Sequence, residues 1–380
     1  MSVMDRLKRT LPVVFVLIPI IMLLIYPGQC IDAAKDALNL WFYVVVPSLL
    51  PFFILSSLLV ARISPVRETP GKRLTRLVFG LPPVSLYALF TGMVSGYPAG
   101  ARITGEMVRS GALSPLDAVR TLPYTLCASP TFLVGTVSVA LLNAPGLALL
   151  MAVAHFGGAV LCGEFFRVWY GLFVPRLDAR RGTAPPPTRD TGLVQAVEGA
   201  MKSMLFVGGN MVLFSIFIRQ LQLTGLLGWF AGVLGPLLSV LGLEPGLGAS
   251  LATGVIEMAN GCGEAAGTVA PVLDQGAVTL AIVTFGGLSV AAQSAGMLRG
   301  TPLGMRHYIF PKLVHTAFAL VLYLLLEPLL SPAFSQAFWP FFGRLLQNAD
   351  VPAAALLFSI SGTVCFLVLL ICVYNRKKRV

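Results

Sequence analysis

Two stretches of one apolar chain break off helix in the same way. Residues 91–101 read TGMVSGYPAGA and residues 253–263 read TGVIEMANGCG. Both open Thr-Gly-hydrophobic-hydrophobic, then turn to Gly, small residues and polar groups where a membrane helix should continue. In hydrocarbon every backbone N–H and C=O needs a partner, so irregular backbone at membrane depth is confined to protein interior or to the edge of a water-filled cavity. Gly- and Pro-interrupted segments at corresponding places in two halves mark the binding site of a transporter-type fold. The rest of the chain then has to hold two broken segments face to face.

Composition agrees with a membrane setting. Of 380 residues, 56% are hydrophobic and 11% charged, with mean hydropathy +0.84; a soluble domain carries about 25% charged residues. The net charge of +11 sits in short basic segments between apolar runs, the pattern of cytoplasmic loops, so no nucleic-acid partner is expected. The partner the chain requires is the lipid bilayer. The first ten residues, MSVMDRLKRT, and the apolar run at 11–26 lack a small-x-small cleavage site and read as a retained first helix. Six Cys form no CxxC pair and mostly sit in apolar runs, as small hydrophobes do in helix packing. Three scattered His give no metal spacing, and no HExxH, GxSxG or P-loop is present. Neither an enzyme nor a cofactor is expected, beyond a coupling Na⁺ or H⁺.

The expected fold is an all-α polytopic membrane protein with about eight transmembrane helices and two re-entrant hairpins in an inverted repeat. Residues 1–166 form the first half, with a gate hairpin over about 77–120, and 193–330 the second, with its hairpin over about 245–275. Residues 167–192 are a basic, Pro-rich cytoplasmic linker, and 331–380 a last span and basic tail. The basic loop at 62–76 faces the cytoplasm, and so should Arg299, Arg306, His307, Lys312 and both termini. Segments 38–61 and 226–243 look like counterparts, yet this topology makes the first a span and lays the second along the interface. A homo-oligomer stays open.

In Ser95-Gly96-Tyr97-Pro98-Ala99-Gly100, Pro98 lacks a donor and disfavours helix at Tyr97, while Gly96 and Gly100 allow turns and close approach. The helix that follows exposes N-terminal amides suited to an anion, and Arg102 adds a planar cationic fork suited to carboxylate. Ser129 and Thr131 flank Pro130 in a second interruption, and residues 284–289 hold the equivalent place in the other half. Glu257, an ionisable residue in a membrane segment, can coordinate Na⁺, carry a proton, take a donor from a substrate, or serve in an ion pair with Arg102. Asn260, beside Gly261, donates and accepts. Gln293 suits substrate contact and helix–helix bonding equally.

These motifs resemble the YlbJ-type sporulation integral membrane proteins, within the wider nucleoside-recognition gate superfamily. SGYPAGAR at 95–102 is similar to the SGYP-x-G-[AS]-[KR] signature. Residues 128–137 are similar to its N-x-SP-x-F-x-x-GTVG segment, 257–261 to its E-x-x-x-G element, and 285–293 to its FGG-[LF]-[CS]-V-x-x-Q run. Cys127-Ala128 stand where the family often has Asn, and Val139 replaces a Gly. The resemblance implies movement of dipicolinate, a small anionic aromatic dicarboxylate, across the outer forespore membrane, and a fold similar to concentrative nucleoside transporters. A nucleoside or nucleobase carrier and a non-transporting scaffold for spore assembly are the alternatives. On the dicarboxylate reading Ser95, Gly96, Tyr97, Gly100, Arg102, Ser129, Thr131, Asn260, Gly261 and Gln293 bind substrate, and Glu257 holds a coupling ion or pairs with Arg102.

Overall fold

The computed structural model describes residues 16–47, 50, 51, 53–55, 58, 75, 76, 78–173 and 192–330. Residues 1–15, the basic loop at 62–74, most of the expected linker (174–191) and the last span and tail (331–380) lie outside the described residues. Among the described residues the regular structure is all helical. Four helices are long and apolar enough to cross a membrane: Pro145–Tyr170, Leu193–Leu223, Val272–Met297 and Arg306–Leu329. A fifth is added if α1 (Val16–Ile25) and α2 (Pro27–Val45), bent by 106° at Pro27, count as one span. Pro27 fits the first turn of α2, where its missing N–H costs nothing.

The remaining elements are short because the sequence stops them. Helices α3 (Ser85–Ser95) and α4 (Ala99–Arg109) are separated by Gly96, at φ +72°, and by the cis Tyr97–Pro98 bond. Eleven residues reach only about 16 Å, half of a bilayer core of about 30 Å. Next come α5 (Pro115–Thr125) and the wider π-type turns of α6 (Thr131–Leu141), with non-helical backbone between them. The long helix α7 (Ala148–Phe173) runs past Arg167, where the linker was expected to begin.

In the second half α8 (Leu193–Leu223) leads to α9 (Leu226–Val240) and then to the pair α10 (Gly248–Ile256) and α11 (Met258–Gly267), broken at Glu257. The pair α12 (Val272–Phe285) and α13 (Gly287–Met297) breaks at Gly286, and α14 (Arg306–Leu330) follows. At 15 residues α9 is about 22 Å long, short for a span.

The helices α12 and α13 form the centre: 83% of their apolar window is buried, against 33% for α8 and 28% for α14. Helix α7 packs along α14, with Gly158 against the Ala319 backbone. Helix α2 packs on α8, where Trp41 Nε1 donates to the Met204 carbonyl at 3.0 Å over Gly208.

Each short-helix hairpin docks by backbone approach rather than by large side chains. In the first, Gly92 and Gly100 both lie against the Thr125 carbonyl, and Gly96 against the Ser129 nitrogen. In the second, Gly261 lies against the Gly254 backbone, and Gly287 against the Gly254 and Ile256 carbonyls. Gly92 and Gly254 hold the same place in the two related stretches, the first against the Thr125 backbone and the second against the Ile282 side chain.

A Cβ at Gly261 would collide with Gly254, whereas one at Gly263 meets nothing within 4 Å. Gly261→Ala is expected to destabilise the protein by about 1–3 kcal/mol. Gly263→Ala, in the same helix, is expected to be neutral or to stabilise it by up to about 1 kcal/mol. Thermal unfolding of the two variants in detergent, side by side, checks the contrast.

Candidate functional site

The helix interruptions at 96–98, 126–130, 257 and 286 meet in the interior. A partly open cavity is lined by Tyr97, Ala128, Ser129, Phe132, Glu257, Met258 and Gln293, with Val45, Val207 and Met211 on its apolar side.

Its walls are set by how each break is satisfied. The Glu257 carboxylate accepts from the Asn260 backbone N–H at 2.8 Å, with the Met258 and Ala259 amides in the same turn. It thereby caps α11 and takes up the positive end that an external anion would otherwise use. Ser129 Oγ accepts from Phe132 N at 3.2 Å at the start of α6. Gln293 Nε2 donates to Ser289 Oγ at 3.2 Å. The Tyr97 hydroxyl donates across to the Val283 and Thr284 carbonyls (3.2 and 3.0 Å), where α12 ends, tying one half's break to the other's.

A second, smaller cavity is lined by Thr91, Pro98, Ala99, Arg102, Ser203 and Met297. Tyr97 lines the first cavity and Pro98 the second, so the cis bond sits between them. Arg102 is therefore on the far side of the break from Glu257, and among the described residues the two form no ion pair. Among the described residues Thr91 Oγ1, buried beside Arg102, has no hydrogen-bond partner, and neither has Ser95 Oγ.

Of the residues singled out in the sequence, Tyr97, Ser129, Glu257 and Gln293 share the larger cavity and Arg102 lines the smaller. Gly96, Gly100 and Gly261 are packing contacts behind the walls. Asn260 turns away and donates to Ser215 Oγ on α8. Thr131 is half-buried at the start of α6 and lines neither cavity.

One cluster was missed. Lys312 was expected at the cytoplasmic face, but it is 1% exposed, in the second turn of α14. Its Nζ donates to the Leu126 carbonyl at 2.7 Å, contacts His315 Nδ1 at 3.0 Å and stands 4.9 Å from the centre of the Tyr97 ring. His155 Nε2 accepts from Ala128 N at 3.0 Å, and its Nδ1 is 2.9 Å from Thr284 Oγ1. The available signal was the position of Lys312 and His315 three residues apart inside an apolar run. The described Cys residues 30, 127, 162 and 262 are buried and free, as packing residues.

Because Glu257 caps α11 through an oxygen, Glu257→Gln keeps an acceptor there and is expected to unfold near the wild-type temperature. Glu257→Ala loses the cap and is expected to cost about 0.5–2 kcal/mol. Detergent melting curves of both variants separate the cap from the charge.

No family model and no solved structure matches the chain. The sporulation integral membrane protein YlbJ of Bacillus subtilis (strain 168) is 31% identical over 354 residues, covering 87% of this chain and 85% of that protein. With its long apolar helices and that relationship, the chain is a multi-pass integral membrane protein with a role in sporulation. It belongs to the YlbJ family of sporulation integral membrane proteins.

Proposed function

We propose that this protein is a secondary carrier or facilitator, not an enzyme, that moves dipicolinate across the outer forespore membrane. On this reading it has about eight crossings and two re-entrant hairpins of opposite polarity, an inverted repeat like that of concentrative nucleoside transporters. The observation that carries the reading is the convergence of three helix interruptions, at 97, 128–129 and 257, on one cavity, with the fourth, at Gly286, packed behind Tyr97. Broken backbone at that depth needs a polar lining, and a polar lining inside an apolar protein is where a small hydrophilic solute can pass.

The two cavities on either side of Tyr97-Pro98 give the solute two stations. Arg102, with the unpartnered Thr91 hydroxyl, receives a carboxylate at the first. At the second, the Tyr97 ring faces an aromatic ring while Ser129 and Gln293 offer polar contacts. Movement of the hairpins about their glycine contacts alternates access to the two.

A nucleoside carrier is the second reading, and the position of Glu257 favours it. A carboxylate in the larger cavity, across the break from Arg102, suits a neutral ligand with donors better than a dianion.

Proteoliposomes holding the purified protein distinguish the readings. Saturable uptake of labelled dipicolinate that ignores uridine is expected. Arg102→Ala is expected to raise KM about 10-fold or more, the value of one charge-assisted hydrogen bond. Uridine uptake, or strong competition by uridine, would shift the assignment to nucleosides. Absence of both from folded protein would favour a scaffold.

A further inference from the structure

Lys312 is a buried amine with no anion. Among the described residues no carboxylate pairs with it, and its three neighbours are a carbonyl, an imidazole nitrogen and a ring face. A buried cation left without a counter-charge is destabilising unless the site has another use for it. The titratable groups around it are His315 on its own helix, His155 and Cys162 on α7, Cys127 at the first-half break, and Tyr97 with Tyr308 behind it. All of these are neutral in one ordinary protonation state.

The hydrogen bonds define the tautomers. If Lys312 donates to His315 Nδ1, then His315 Nε2–H donates to the His155 carbonyl at 2.8 Å. If Ala128 N–H donates to His155 Nε2, then His155 Nδ1–H donates to Thr284 Oγ1. The Lys312–His315 contact also works in reverse. The Nζ–H bond can break as an Nδ1–H bond forms, and the neutral amine then accepts the hydrogen bond it had donated. One proton is thus accommodated at either of two atoms 3.0 Å apart.

We propose that Lys312 and His315 form a reversible proton-binding site, and that the bound proton tightens the break at 126–130. The backbone there is held by two side chains of this cluster, Lys312 on the Leu126 carbonyl and His155 on the Ala128 amide. A hydrogen bond from an ammonium is about twice as strong as one from a neutral amine, so loss of the proton loosens the Leu126 grip. Ala128 and Ser129, next along the chain, line the cavity. On the carrier reading, on which only this further step rests, this is where a coupling proton sits.

Cys127 adjoins Leu126 and is fully buried, so it reports the break without any substrate. The measurement is maleimide modification of Cys127 in the full-length protein in detergent, from about pH 6 to about pH 9, read by peptide mass spectrometry. Lys312→Arg keeps a permanent cation; Lys312→Met removes it with a similar shape. Dividing each rate by that of the Arg variant removes the thiol's pH dependence beside a fixed cation; loss of the Lys312 charge by itself disfavours the nearby thiolate and lowers the ratio, so a rise reports opening of the break.

The wild-type ratio is expected to start near that of Lys312→Arg and rise about 5-fold, towards Lys312→Met, as pH increases. A wild-type ratio that stays flat across the range overturns the proton site. If either lysine variant elutes as aggregate, His315→Gln supplies the comparison, and a ratio for it that tracks wild type also overturns the site. Dipicolinate uptake under an imposed proton gradient separates the two readings. Switching of Cys127 without uptake removes the substrate and leaves the proton site. Uptake that ignores the gradient, with a flat ratio, removes the proton site and leaves the carrier.

Discussion

Satisfying broken backbone inside an apolar protein is the constraint on which this structure depends. A continuous helix bonds its own N–H and C=O groups, whereas each interruption strands several of them, and hydrocarbon offers no replacement. The protein answers with buried side chains at three of the four breaks. Lys312 and His155 hold the Leu126 carbonyl and the Ala128 amide. Tyr97 and Tyr308 hold the carbonyls of Val283, Thr284 and Phe285 at the end of α12, and Glu257 and Ser129 cap the helices that restart. The polar residues of the interior are thus first of all the partners of the backbone, and the cavity forms where those partners meet.

Small residues make that arrangement close enough to work. Between helices in lipid there is little hydrophobic drive, so association depends on backbone approach and dispersion. Gly92 and Gly100 against Thr125, and Gly254 against Gly261, bring the short helices near enough for side chains such as Tyr97 to reach across to another break. With larger residues the hairpins would stand off, and the carbonyls at the end of α12 would lose their donors.

What the sequence discloses follows from this division. Interruptions are local, and Gly96, Pro98 and Pro130 announce them directly, so the breaks and the small-residue contacts were legible. Glu257 and Gln293 stood out because polar groups in an apolar run are conspicuous, and both line the cavity. The partners of the breaks were not legible, because they come from distant helices: Lys312 bonds a carbonyl 186 residues away. Charge counting placed Lys312 with Arg306 and His307 at a membrane face, and nothing in composition distinguishes a basic residue ending a helix from one buried two turns in. Arg102 was misleading in another way. Two residues beyond the turn is close in sequence, but Arg102 lines a different cavity from Tyr97.

The two hairpins solve the same problem with different reach, and that sets how the halves are joined. At the fifth position of the related stretches one has Ser95 and the other Glu257. Glu257 turns back on its own helix and closes the second break internally. Among the described residues Ser95 Oγ has no hydrogen-bond partner; what fixes the first tip is Tyr97, bonded to the end of α12 and covered by Lys312 from α14. The second break therefore carries its own cap, whereas the first is anchored through groups on two other elements. The Tyr97 hydroxyl thus ties the first break to the end of α12, while the amine of Lys312, 4.9 Å from the centre of its ring, ties the same side chain to α14.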